Sequence, residues 1–133
     1  MSFFPSDRHL ASWAAICPGN HESAGKHKSG QTRQGNRWLR TALIEAAGAA
    51  IRTKDSALGA RYRRVMRHRG HKKAVVAVAH AMLRAVYHLL ADGTTYCDPG
   101  ADYYDRRHAQ RVTRRAIQLL ERQGYRVTIE AAA

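Results

Sequence analysis

The stretch KKAVVAVAHAMLRAVYHLL, residues 72–90, decides the fold. Val75, Val76, Val78, Ala79, Met82, Leu83, Val86, Tyr87 and Leu90 recur at helical spacing and cover nearly the whole circumference. A helix apolar all round has to be surrounded, so this one is expected at the centre of the molecule. Asp92 and Gly93 end it.

Working outward, Ser56 opens a preceding helix that runs to about His68, with a modest apolar face of Leu58, Tyr62, Val65 and Met66 and a stop at Gly70. Before that, Asn36 caps a helix whose face, Leu39, Ala42, Leu43, Ala46, Ala47 and Ala50, is small enough for close packing. A first helix starts at Ser6 and Asp7, carries Leu10, Trp13, Ala14 and Cys17 as its stripe, and stops at Pro18 and Gly19. Downstream, residues 103–123 form the last helix. Its Val112, Ala116, Leu119 and Leu120 are expected inward and Arg106, Arg107, Arg111, Arg114 and Arg115 outward, with Gly124 as the C-terminal stop. Residues 125–129 alternate and allow one short strand, for which no partner is evident. The expected architecture is mainly α: a single compact domain of about five helices with one long basic loop, residues 18–35.

The charge narrows the function. Lys and Arg number 23 against 10 Asp and Glu, a net +13 in 133 residues, and a surplus of this size calls for a polyanion, most often nucleic acid. An apolar share of 44% excludes wholesale disorder. No uninterrupted apolar run approaches the length of a membrane span, so no membrane partner is expected. Cys17 and Cys97 lie far apart, without His or Cys at ligand spacing. That argues against zinc and disulfides and for reduced thiols in the cytoplasm.

Three groups of residues bear on chemistry. In the loop, Ser23 and Ser29 lie among His21, His27, Lys26, Lys28 and Arg33. A serine that attacks a phosphodiester must lose its proton and have the phosphate charge neutralised, tasks open to the histidines and the cations respectively. The same composition also describes a flexible loop that only grips phosphates. Asp98, Asp102 and Asp105 cluster at the start of the last helix, where capping accounts for them, and no metal centre is expected. His80 and His88 share one face of the central helix and read as structural. From Arg61 to Lys73 there are seven Lys or Arg and no acid, so Arg61, Arg64, Lys72 and Lys73 read as a surface for a nucleic-acid backbone.

Six blocks in order, FPSDRHLASWA (4–14), PGNHES (18–23), GNRWLR (35–40), KAVVAVAH (73–80), AVYHLL (85–90) and YYDRR (103–107), resemble the C-terminal domain of transposases of the insertion-sequence 110/116/902 family. The resemblance covers essentially the whole chain. It implies an enzyme in two parts: an N-terminal RuvC-like half with an acidic, Mg2+-binding tetrad, and a C-terminal half that supplies a serine nucleophile for DNA cleavage and exchange, guided by a structured RNA. The family's serine falls just ahead of the Gly-Asn-Arg block, here Ser23, with Ser29 as the fallback. Where many relatives have Ser-Gly, this chain has Ser23-Ala24-Gly25. Lys26, Lys28, Arg33, Arg37 and Arg40 would then hold the flanking phosphates. The RuvC-like half is not among these residues, and Met1 falls where relatives continue from upstream. The chain is therefore expected to be a fragment without a cofactor of its own, acting with DNA, a guide RNA and full-length transposase or further copies of itself. The competing expectation is a non-catalytic, nucleic-acid-binding remnant.

Overall fold

Gly70 and Gly93 mark the two ends of the longest helix, and both adopt positive φ, 79° and 63°. The computed structural model describes residues 3–17 and 21–130, with the side chains of residues 21, 22, 27 and 28 left out of the description. In chain order the elements are α1 (Asp7–Trp13), β1 (His21–Ser23), β2 (Lys26–Ser29), α2 (Arg37–Ala50), α3 (Ala57–Arg69), α4 (His71–Asp92) and α5 (Tyr103–Arg122). Helices α1, α2 and α3 each pack on α4, whose Ala74, Val75, Val78, Ala79 and Leu83 are buried. The mainly α fold and the central place of this helix agree with the sequence reading. By length and composition α4 would also be apolar enough to cross a membrane, which the search for an uninterrupted run overlooks. Part of that apolar surface packs on three other helices of the same chain, while Val86 and Leu90 remain exposed.

Caps set the starts of the surrounding helices. The Asn36 side chain accepts a hydrogen bond from the Leu39 N–H at 3.0 Å, and Ser56 Oγ accepts from the Gly59 N–H at 3.0 Å. Ala57 N–H, the first donor of α3, is bound at 2.9 Å by the Asp98 carboxylate from the chain beyond α4. Asp98 thus caps α3 across 41 residues of sequence and ties the segment that leads into α5 to the body.

The faces that meet α4 differ in detail from the periodic reading. On α1, Leu10, Ala11 and Ala14 are buried, whereas Trp13 is half-exposed against Phe4, 5.5 Å between rings. On α2, Leu43 and Ala47 are buried with Leu39, Ile44 and Ile51 beside them, while Ala42 and Ala46 face solvent. The apolar stripe is rotated by one position because the β-branched and leucine side chains, not the alanines, bury the most area. Asp7, at the first turn of α1, is buried and pairs with Arg84 of α4, with His88 Nε2 at 3.4 Å. The hydrogen bond from Arg84 holds its carboxyl below the ordinary carboxylate range, against the opposing effect of burial.

Three expectations are corrected. No residue of α5 is buried; Val112, Leu119 and Leu120 are 52%, 59% and 40% exposed, so the face expected inward has no cover among the described residues. Among the described residues the contacts of α5 with the body are concentrated at its start, chiefly on α3. Residues 125–130 form no strand, as the lack of a partner foretells. The loop expected without structure instead contains a two-stranded antiparallel hairpin, β1 paired with β2.

Candidate functional site

The hairpin forms because Ala24 and Gly25 both take positive φ, 50° and 73°. Two central residues of this kind make the primed turn whose twist suits a right-handed ribbon. Ala24 lacks the freedom of glycine, which hides the turn from a reading based on Asn-Gly or Gly-Gly signals. The register sets Ser23 directly opposite Lys26. Cross-strand partners lie on the same face with Cβ atoms about 5 Å apart, so the hydroxyl and the ammonium share one exposed surface at the hairpin tip. Both side chains are exposed. Among the described side chains none hydrogen-bonds to the Ser23 hydroxyl. His21, His27 and Lys28, the other side chains proposed for proton transfer and phosphate contact, lie outside the described side chains, as do residues 18–20. Ser29 is half-buried, and its Oγ accepts from the Gln31 N–H at 3.2 Å. Of the two serines, Ser23 is the more exposed.

The return from the hairpin is pinned to the body at Gly35. A Cβ at this position would stand 2.5 Å from Ala15 Cβ and 2.7 Å from the Ala14 carbonyl, so only glycine permits this approach to the end of α1. Next to this joint, Arg33 donates to Ser12 Oγ at 3.2 Å, and Arg40 donates to the Arg33 carbonyl at 3.4 Å. Arg33 and Arg37 are exposed and Arg40 partly so. Arg37 and Arg40 sit in the first turn of α2, where the helix dipole adds positive potential. The structure therefore gathers Arg33, Arg37 and Arg40 at the base of the hairpin and leaves Lys26 at its tip. Burial pushes the Cys17 thiol upward, with Arg33 and Arg84 opposing, which favours the unreactive thiol.

The second predicted group lies elsewhere, on α3 and the start of α4, and shares no packing with the hairpin among the described residues. Arg61 is half-buried and engaged: Nε donates to the Ala77 carbonyl at 3.2 Å, and the guanidinium lies 5.8 Å over the Tyr104 ring. Arg64 is exposed, 3.8 Å from Asp105, and Lys72 and Lys73 are exposed in the first turn of α4. His80 is half-buried; burial and the adjacent Arg84 and Arg61 push it toward the neutral form. His88 is exposed beside Asp7 and Asp92. The three aspartates near α5 diverge: Asp98 caps α3, Asp102 pairs with Arg106 at 2.9 Å, and Asp105 faces Arg64. No cluster of three or more metal-ligating side chains occurs among the described residues.

One residue escapes the sequence reading. Trp38 is 85% exposed between Arg37 and Leu39 on the first turn of α2. An indole left in water beside arginines offers a face on which an unpaired base can stack. Its signal is an aromatic residue out of phase with the apolar stripe Leu39, Leu43, Ala47.

Residues 1–63 match the family described as transposase IS116/IS110/IS902. That segment includes the hairpin and α2 and ends within α3. Curated relatives align over 70% of the chain. A Pseudomonas aeruginosa protein described as a family 20 transposase is 30% identical over 97 residues, 29% of its length. A Streptomyces coelicolor protein described as belonging to insertion element IS110 is 30% identical over 94 residues, 23% of its length. A Sinorhizobium fredii protein described as a transposase is 32% identical over 98 residues, 25% of its length. The chain thus spans about a quarter of the length of these relatives. No solved structure matches it.

Proposed function

We propose that this chain, whose residues 1–63 match the transposase IS116/IS110/IS902 family, binds DNA and provides the serine that cuts and rejoins strands during transposition. The observation that carries this reading is the presentation of Ser23 opposite Lys26 at the tip of a hairpin whose base holds Arg33, Arg37 and Arg40. In the proposed step, Ser23 Oγ loses its proton to a base and attacks the phosphorus. The Oγ–P bond forms as the bond to one strand oxygen breaks, and that oxygen leaves with a proton as a free strand hydroxyl. The ester energy is retained in the serine–phosphate link, so a hydroxyl from another strand reverses the step and exchanges the ends. Lys26 neutralises the charge that develops on the phosphoryl oxygens, and the arginines hold the strand on either side. The acidic, Mg2+-binding half of the reaction centre and a guide RNA are assigned to partners, a full-length transposase or a separate RuvC-like half.

A binding-only reading is favoured by one observation: no described side chain hydrogen-bonds to the Ser23 hydroxyl. One experiment decides between the two. The chain is mixed with an intact RuvC-like half, guide RNA and element-end DNA, and covalent protein–DNA adducts are resolved on denaturing gels. The catalytic reading expects an adduct that vanishes with Ser23→Ala and persists with Ser29→Ala. An adduct that survives Ser23→Ala overturns the choice of nucleophile, and bound DNA without any adduct supports the binding-only reading.

A further inference from the structure

Between the C-terminal half of α3 and the start of α5 lies an open cleft of about 540 Å3, lined by Ala60, Arg63, Arg64, Arg67, His68, Tyr104 and the aspartates 102 and 105. We propose that this cleft is a second strand-binding site, which takes the phosphodiester backbone of a nucleic acid. The inference rests on the nucleic-acid reading above and adds a place to it, away from the hairpin.

Charge within the cleft is sorted rather than balanced. The two acids are already occupied. Asp102 accepts from Arg106 at 2.9 Å, and Asp105 faces Arg64 at 3.8 Å. Arg63 and Arg67 have no carboxylate within ion-pair distance among the described residues, and both are exposed. They are four residues apart on α3, so they stand one above the other along one wall of the cleft, a turn of helix or about 6 Å apart. Two unpaired guanidiniums in a row match a repeating anion better than a single small one, since each fork takes one phosphate. The small side chain of Ala60 keeps the floor open. Tyr104 closes one end, with its ring already held by Arg61 at 5.8 Å and by Tyr103 at 5.0 Å, so a sugar or base meets a fixed aromatic surface there. Beyond the other end of α3, Lys72 and Lys73 continue the positive surface.

The test compares binding by the unaltered chain and by Arg63→Gln/Arg67→Gln across a salt series, with single-stranded RNA, single-stranded DNA and duplex DNA as separate probes. An Arg52→Gln/Lys54→Gln chain removes the same charge from the exposed turn after α2. The cleft pair is expected to weaken binding and to make the salt dependence shallower by about one per lost phosphate contact, while the control pair has the smaller effect. Asp105→Asn, which frees Arg64, is expected to tighten binding. The probe that loses most affinity identifies which kind of strand occupies the cleft. Equal losses from the cleft and control pairs, or unchanged binding by the cleft variant, overturn the cleft and leave the hairpin reading standing. Loss of all adduct formation with Ser23→Ala at unchanged affinity bears on the hairpin alone. Far-ultraviolet circular dichroism checks that the glutamine variants remain folded.

Discussion

Helices α4 and α5 are nearly equal in length, 22 and 20 residues, yet α4 buries five side chains and α5 none. Their apolar residues are also distributed differently. The apolar and basic faces of α5 are the more sharply divided, whereas α4 is apolar nearly all round. Division into faces says that one side of a helix needs cover; it does not say that the same chain provides it. α4 is covered along one side because α1, α2 and α3 each bring a short apolar stripe to it, while Val86 and Leu90 stay exposed. Among the described residues α5 meets the body mainly at α3, through its first turn. The molecule thus consists of a body built on α4 and two attachments, the hairpin and the distal part of α5, that depend on local bonds.

The largest expected contrast comes from the same substitution in both regions. Leu83 is 3% exposed in the core of the body, and Leu119 is 59% exposed on α5. Leu83→Ala is expected to cost about 2–5 kcal/mol, through lost transfer energy and a residual cavity. Leu119→Ala is expected to change stability by less than about 0.5 kcal/mol. Denaturant melts of the two variants check this. A cost at Leu119 approaching that at Leu83 means that α5 is covered in solution, by a second copy if the cost depends on protein concentration.

The joint between body and hairpin ranks next. Gly35→Val forces side-chain atoms into Ala14 and Ala15, and an overpacked contact of this kind costs about 1–3 kcal/mol. The expected result is a lower melting temperature together with faster amide exchange in residues 21–29, because the hairpin loses its anchor to α1. If only the hairpin loosens, the joint belongs to the attachment rather than to the body.

Ion pairs divide in the same way. Asp7 is buried against Arg84, while Asp102 and Arg106 are both 65% exposed in the pair that opens α5. The folded-state carboxyl of Asp7 is held below its ordinary range, chiefly by the hydrogen bond from Arg84. Its contribution is therefore full above the unfolded carboxylate value of about 3.9, and is lost as pH falls through the lower folded value. Asp7→Asn is expected to lower the melting temperature at neutral pH, with the gap to the unaltered chain closing as the solution is acidified below about pH 4. Asp102→Asn is expected to leave the melting temperature nearly unchanged at every pH. Thermal melts from pH 2.5 to 7 measure both.

The body was largely legible in the sequence, and the attachments were not, for a common reason. The helix α4, the caps Asn36 and Ser56 and the stop at Gly93 are set by residues within one or two turns of where they act. What was missed is set at a distance. The Asp98 cap on Ala57 spans 41 residues, and the contact that requires glycine at position 35 is made with α1. The apolar stripe of α5 was legible, but its exposure among the described residues was not. At the candidate site, serine, lysine and arginines were visible as types. Their gathering depends on a turn that Ala24 makes against its own preference, and periodicity carries no trace of it.

That turn gives the smallest expected effect and the sharpest test of the division. Ala24 holds φ at 50°, a conformation that costs a non-glycine residue roughly 1–2 kcal/mol. Ala24→Gly removes the strain but adds freedom to the unfolded chain, so the net gain for the hairpin is expected to be at most about 1 kcal/mol. If the hairpin opens on its own, that gain slows amide exchange in residues 21–29 and leaves the global melting temperature where it was, because the unfolding of the body does not wait for the hairpin. If the melting temperature rises in step with hairpin protection, hairpin and body unfold together. Ser23 would then be held by the whole fold, and its presentation opposite Lys26 would be as rigid as α4 itself.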